Sequence, residues 1–131
     1  MIVIGFGIFL ILHGLVHLLY MGQSIRLFEL QPGMVWPDGS AVLSRTIGDE
    51  PVRVIAAVLL ITAAVGFALG GAGLAFRQEW WRPIILGISV YSSIIYLLLW
   101  DGRMKTLNDK GFVGIAINLA ILLMILAFRL P

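Results

Sequence analysis

"MIVIGFGIFLILHGLVHLLYMGQSI", residues 1–25, contains no Lys, Arg, Asp or Glu. A helix needs about 20 apolar residues to cross roughly 30 Å of hydrocarbon, so this run is long enough to span a bilayer. Three further stretches share the property: Val54 to Phe76, Pro83 to Trp100 and Gly111 to Phe128 are all free of charged side chains. In lipid no water is at hand for backbone groups, which restricts spanning segments to helices and closed barrels. A barrel needs alternating segments of about 10 residues, and none is found. The expected fold is therefore all-α: an integral membrane bundle of four transmembrane helices at about 1–25, 52–76, 81–100 and 111–129, with a longer loop at about 26–51. The chain forms a single membrane domain.

Composition agrees with the runs. The 131 residues are 60% hydrophobic and 12% charged, with a mean hydropathy of +1.03. Soluble domains carry about 25% charged residues. A chain this short could not hide so much apolar surface in one aqueous core. The first run lacks a basic leading region and a small-residue cleavage site, so it reads as a retained helix rather than a signal peptide. With no Cys there are no disulfides, thiolate ligands or dithiol redox chemistry. The net charge of +2 is too small to argue for nucleic acid.

Between the runs, Gln31-Pro32-Gly33 stops the first helix, and Pro37-Asp38-Gly39 reads as a turn between two β-tolerant pieces, a small hairpin or surface lid. Asp49 stands where an N-cap for the second helix would sit, followed by Glu50 and Pro51. That helix carries Gly66 and Gly70 in a small-xxx-small pattern, a candidate face for pairing two copies. Trp80 and Trp81 beside Arg77 and Arg82 fit the headgroup level. Counting Lys and Arg by side gives six (Arg26, Arg45, Arg53, Arg103, Lys105, Lys110) against three (Arg77, Arg82, Arg129). The bias favours termini outside and the first and third connections in the cytoplasm of a bacterial or archaeal cell.

The polar residues inside the runs fall at a shared depth. His13 lies near the middle of the first helix, with His17 and Tyr20 beyond it in an i, i+4, i+7 row. Thr62 on the second helix, Ser93 and Tyr96 on the third and Asn118 on the fourth fall in the same half of the bilayer. If these residues face inward, they line a polar cavity that opens toward the longer loop, with Arg53 and Asp101 at its mouth beside Asp49 and Glu50. The histidines then have three readings: interhelical hydrogen bonds, recognition of a polar ligand group, or a metal. A metal would want a third ligand, and no carboxylate lies within the runs, so none is assigned. Ser89, Ser92 and Ser93 have the further option of bonding their own helix carbonyls. No Ser-His-Asp set, phosphate loop or paired intramembrane carboxylate appears, which gives enzymatic chemistry little to stand on.

"LHGLVHLL" in the first helix, a Gly/Ala-rich second helix ending near "WWRP", and "LLLWDGR" before "GFVGIAINLAILL" together resemble the DoxX-like group of small four-helix bacterial membrane proteins. The resemblance covers most of the chain by helix order and length. A second histidine, His17, and the long first loop depart from the group's pattern. The resemblance implies the four-helix fold and a redox neighbourhood. The expected function is non-enzymatic binding of a hydrophobic or amphipathic small molecule (lipid, isoprenoid or quinone) in the half-membrane cavity, with membrane lipid as its surroundings. The binder acts as an accessory subunit or as a homodimer through the glycine face, and the alternatives are a structural or accessory subunit of a larger membrane complex, a redox complex among them, or a small transporter. A transporter would predict a repeat between the two halves, which the sequence does not display.

Overall fold

In the computed structural model the described residues are 1–28, 40–99 and 113–127, and among them every regular element is helical. Five helices follow one another: α1 (Ile2–Ser24), α2 (Ser44–Ile47), α3 (Asp49–Ala75), α4 (Trp81–Leu98) and α5 (Val113–Ala127). The helices α1, α3 and α4 are long and apolar enough to cross a membrane, and α5 is a shorter apolar helix. The 15 described residues of α5 rise about 22 Å. Residues 111–112 and 128–129, at the expected ends of that helix, lie outside the described residues.

Backbone proximity runs in order along the chain: α1 against α3, α3 against α4, α4 against α5, with α2 resting on α3. The central helix, α3, can serve two neighbours because small residues stand on two of its faces. Toward α1, a methyl group placed on Gly71 would lie 2.6 Å from the carbonyl oxygen of Gly7, and one on Gly14 would lie 2.9 Å from that of Ala64. Toward α4, Gly66 and Gly70 receive the side chains of Ile88 and Ile85. The close approach that small residues permit in lipid is thus met within one chain. The Gly66–Gly70 face, expected to pair two copies, is covered by α4.

Both α1 and α3 end in the same motif. Leu27 N donates to the Gly22 carbonyl and Arg26 N to that of Gln23; Gln78 N donates to Gly73 and Arg77 N to Leu74. This is the Schellman closure, which calls for a left-handed residue just past the helix. Here Arg26 (φ 64°) and Arg77 (φ 55°) take that position in place of glycine.

Two sequence expectations are corrected in the segment before α3. Residues 41–47, read as a β-tolerant piece of a hairpin, form a turn and then the short helix α2. The reason is Ser40: its hydroxyl accepts from Val42 N and Leu43 N, while its own N–H donates to Ser44 Oγ. The same hydroxyl donates to the carbonyl of Leu98, which ties the turn to the end of α4. Pro37-Asp38-Gly39 lies outside the described residues. Asp49, expected as the N-cap of α3, is its first helical residue; Gly48, at φ +83°, is the cap, and no side chain bonds there.

Candidate functional site

The interior is layered. One apolar cluster gathers Phe6, Leu10, Phe67, Leu74, Trp81, Ile85, Ile121 and Ile125. A second gathers Val52, Ala56, Leu60, Ala63, Ile95, Tyr96 and Leu99. Where the two meet, α1, α4 and α5 contribute a buried polar layer: His13, His17, Ser89, Ser92 and Asn118. Apolar burial cannot satisfy such groups, so in a stable core they must bond one another.

All but Ser89 do so, as a closed chain. His17 Nδ1 lies 2.9 Å from the carbonyl oxygen of His13, and its Nε2 lies 2.7 Å from Ser92 Oγ. Asn118 Nδ2 reaches Ser92 Oγ at 2.9 Å and Ser93 Oγ at 3.3 Å, while Asn118 Oδ1 meets His13 Nε2 at 2.8 Å. A carbonyl oxygen only accepts, so His17 Nδ1 carries a hydrogen. With a neutral ring, His17 Nε2 is then an acceptor, and Ser92 must donate its one hydrogen to it. Ser92 therefore accepts from Asn118, which turns Oδ1 toward His13 and puts the hydrogen of that ring on Nε2. One backbone carbonyl thereby fixes both tautomers and the amide orientation.

Aromatic rings hold the imidazoles in place. The His17 ring lies between Phe67, at a centroid distance of 5.3 Å, and Tyr96, at 5.5 Å. His13 meets the Phe67 ring edge-on at 4.7 Å and stacks on Phe9 at 6.2 Å. Tyr20 joins the group from outside, edge-on to Tyr96 at 6.2 Å.

The layer lies in a seam that the backbones leave wide. Nowhere do Cα atoms of α1 approach those of α4 or α5 within 8 Å. His13–Asn118 joins α1 to α5, and His17–Ser92 joins α1 to α4, through side chains alone. By contrast, α1 and α3 lie backbone to backbone at Gly7 and Gly71.

Of the residues expected at the site, His13, His17, Ser93, Tyr96 and Asn118 come together, with Tyr20 at the edge. Thr62 does not: it is exposed on the outer face of α3, and its hydroxyl donates to the Val58 carbonyl of its own helix. Arg53 does not ring a mouth above the histidines, because the second apolar cluster fills that space. It lines a separate recess of about 450 Å³ with Ser24, Ile25, Glu50, Pro51 and Val54, and pairs with Glu50 at 3.7 Å. Asp101 lies outside the described residues. Among the described residues the polar side chains of the layer bond one another directly.

Ser92, for which the sequence leaves open a bond to its own helix, is the hub. The buried stripe of α4 is Trp81, Ile85, Ser89, Ser92, Ile95 and Tyr96, and Ser93 stands half-buried at its margin, donating back to the Ser89 carbonyl. Ser89 Oγ is buried with no hydrogen-bond partner among the described residues. No group of three or more His, Cys, Asp or Glu side chains forms among the described residues. The chain matches no protein-family model, no curated protein and no solved structure.

Proposed function

We propose that this chain is an integral membrane protein of four spans that holds a hydrophobic or amphipathic small molecule, of lipid, isoprenoid or quinone type, at its inner polar layer. The observation that carries the reading is the seam. Polar side chains deep in apolar helices are functional candidates by default, and here they bridge helices whose backbones nowhere come within 8 Å of each other at Cα. A molecule that exchanges with those bonds enters from the bilayer, between α1 and α5, without breaking the α1–α3 backbone contact. In the same reading the chain is a DoxX-like protein, its termini face outward, and its work is binding rather than catalysis.

One observation favours a second reading. The chain His13–Asn118–Ser92–His17 closes on itself, as interhelical glue would, and glue of this kind fits an accessory subunit of a larger membrane complex. Native mass spectrometry of the protein extracted in mild detergent separates the two. The expected spectrum shows a retained lipid-class molecule that is depleted in Asn118→Leu and kept in Thr62→Val. A bare chain arriving only with partner proteins overturns the binding reading in favour of the subunit.

A further inference from the structure

We infer that the His13–Asn118 contact is the point at which a hydroxyl group inserts, so that the molecule taken up is an apolar alcohol rather than a carbonyl compound. The inference rests on the small-molecule reading above and narrows it to one head-group chemistry.

The direction of the hydrogen bonds carries it. His13 Nε2–H donates and Asn118 Oδ1 accepts, across 2.8 Å. Any head group that parts these atoms must accept from the ring and donate to the amide oxygen. A hydroxyl does both with one oxygen. An aldehyde, ketone or quinone oxygen accepts from His13 and leaves Asn118 Oδ1 stranded in a layer where both residues are almost wholly buried. A carboxylate has the same defect and adds a charge.

The remaining bonds need not change. Asn118 Nδ2 stays on Ser92 and Ser93, and Ser92 stays on His17. Insertion lengthens the path from Nε2 to Oδ1 to roughly 5 Å, the span of two hydrogen bonds meeting at one oxygen. The α1–α5 seam can widen by that amount because side chains alone hold it. An alcohol with an apolar chain then keeps its tail in the seam and the bilayer, beside Phe9, which is 42% exposed and stacks on His13.

The test uses the full wild-type chain in detergent, with farnesol and farnesal as probes of nearly equal shape. The expected result is farnesol retained about tenfold more tightly, the consequence of one buried acceptor left without a donor in the aldehyde complex. The preference should vanish in Asn118→Leu and persist in Thr62→Val. Ring-nitrogen NMR guards against a variant that merely misfolds. The chain has only two histidines, and the wild type should show one hydrogen on His13 Nε2 and one on His17 Nδ1, with farnesol shifting the His13 signals and preserving both tautomers. Equal retention of the two probes overturns the alcohol inference and leaves the small-molecule reading standing. Retention of neither overturns it as well, and the native spectrum then decides the wider reading by itself. A His13 hydrogen on Nδ1 also overturns it, since the donor at the insertion point is then missing.

Discussion

Replacing Ser92 by alanine removes one oxygen and leaves two buried groups without partners, His17 Nε2 and one hydrogen of Asn118 Nδ2. Hydrogen bonds between membrane helices average only about 0.6 kcal/mol, because the unfolded chain in the membrane also finds partners. Stranding buried groups costs more, about 1–3 kcal/mol in proteins generally. Ser92→Ala should therefore destabilise by roughly 1–2 kcal/mol, toward the upper end for a single membrane hydrogen-bonding site. Thr62→Val, on the outer face, should stay within about 0.5 kcal/mol. Unfolding in mixed micelles of rising SDS fraction measures both, and equal effects would show that the layer contributes no more than an outward hydroxyl. The residue types of this layer were legible, since an imidazole or an amide in a charge-free helix demands a partner. Which serine supplied it was not. Ser92 and Ser93 both continue from Ser89 at helical spacing, three and four residues on, and only the rotation of α4 against α5 selects the first. Thr62 was misjudged for a related reason: depth along a helix says nothing about the side it faces.

Gly71 and Gly87 pose the matching question for whole helices. A methyl group on Gly71 meets the Gly7 carbonyl oxygen at 2.6 Å, and backbone cannot swing aside as a side chain can. The helices α1 and α3 must separate along their contact, so Gly71→Ala should cost about 1–3 kcal/mol, as overpacking does elsewhere. Around Gly87 nothing lies within 4 Å, and alanine there should be neutral or stabilising by up to about 1 kcal/mol through helix propensity. Detergent unfolding of the two variants side by side checks the contrast; a tolerated Gly71→Ala would mean that α1 and α3 are not locked. The charge-free runs made three long apolar helices and a shorter fourth legible, whereas the short helix α2 was not. The pairing of the helices was less legible. The Gly66–Gly70 pattern signals close approach without naming the partner, and Gly7, Gly14 and Gly71 acquire meaning only when two antiparallel helices bring them opposite. The capped turn at Ser40 escaped for the same reason, because its anchor, the Leu98 carbonyl, is distant in sequence.

At the scale of the molecule, the proposed orientation rests on charge. Six Lys and Arg flank the connections on the side of α2, against three on the side of the α3–α4 link and the final residues. Arg26 and Arg77 add one charge to each side, and each holds a left-handed backbone position that glycine would occupy without strain. A long cationic side chain just past the helix can lay its stem on apolar surface and reach water. The two arginines mark opposite ends of the bundle, because α1 and α3 run antiparallel with Gly7 against Gly71 and Gly14 against Ala64. The chain contains no cysteine, so single cysteines report position without a background. Thr46→Cys in α2 and Gln78→Cys beyond α3 are exposed and stand at the two ends of α3. A membrane-impermeant maleimide applied to intact cells should label Gln78→Cys at once and Thr46→Cys only after permeabilisation. The reverse pattern would place the six-charge side outside and show that the charge bias had misled. Immediate labelling of both would remove the membrane-spanning reading itself, since α3 joins the two sites and could not then separate two compartments.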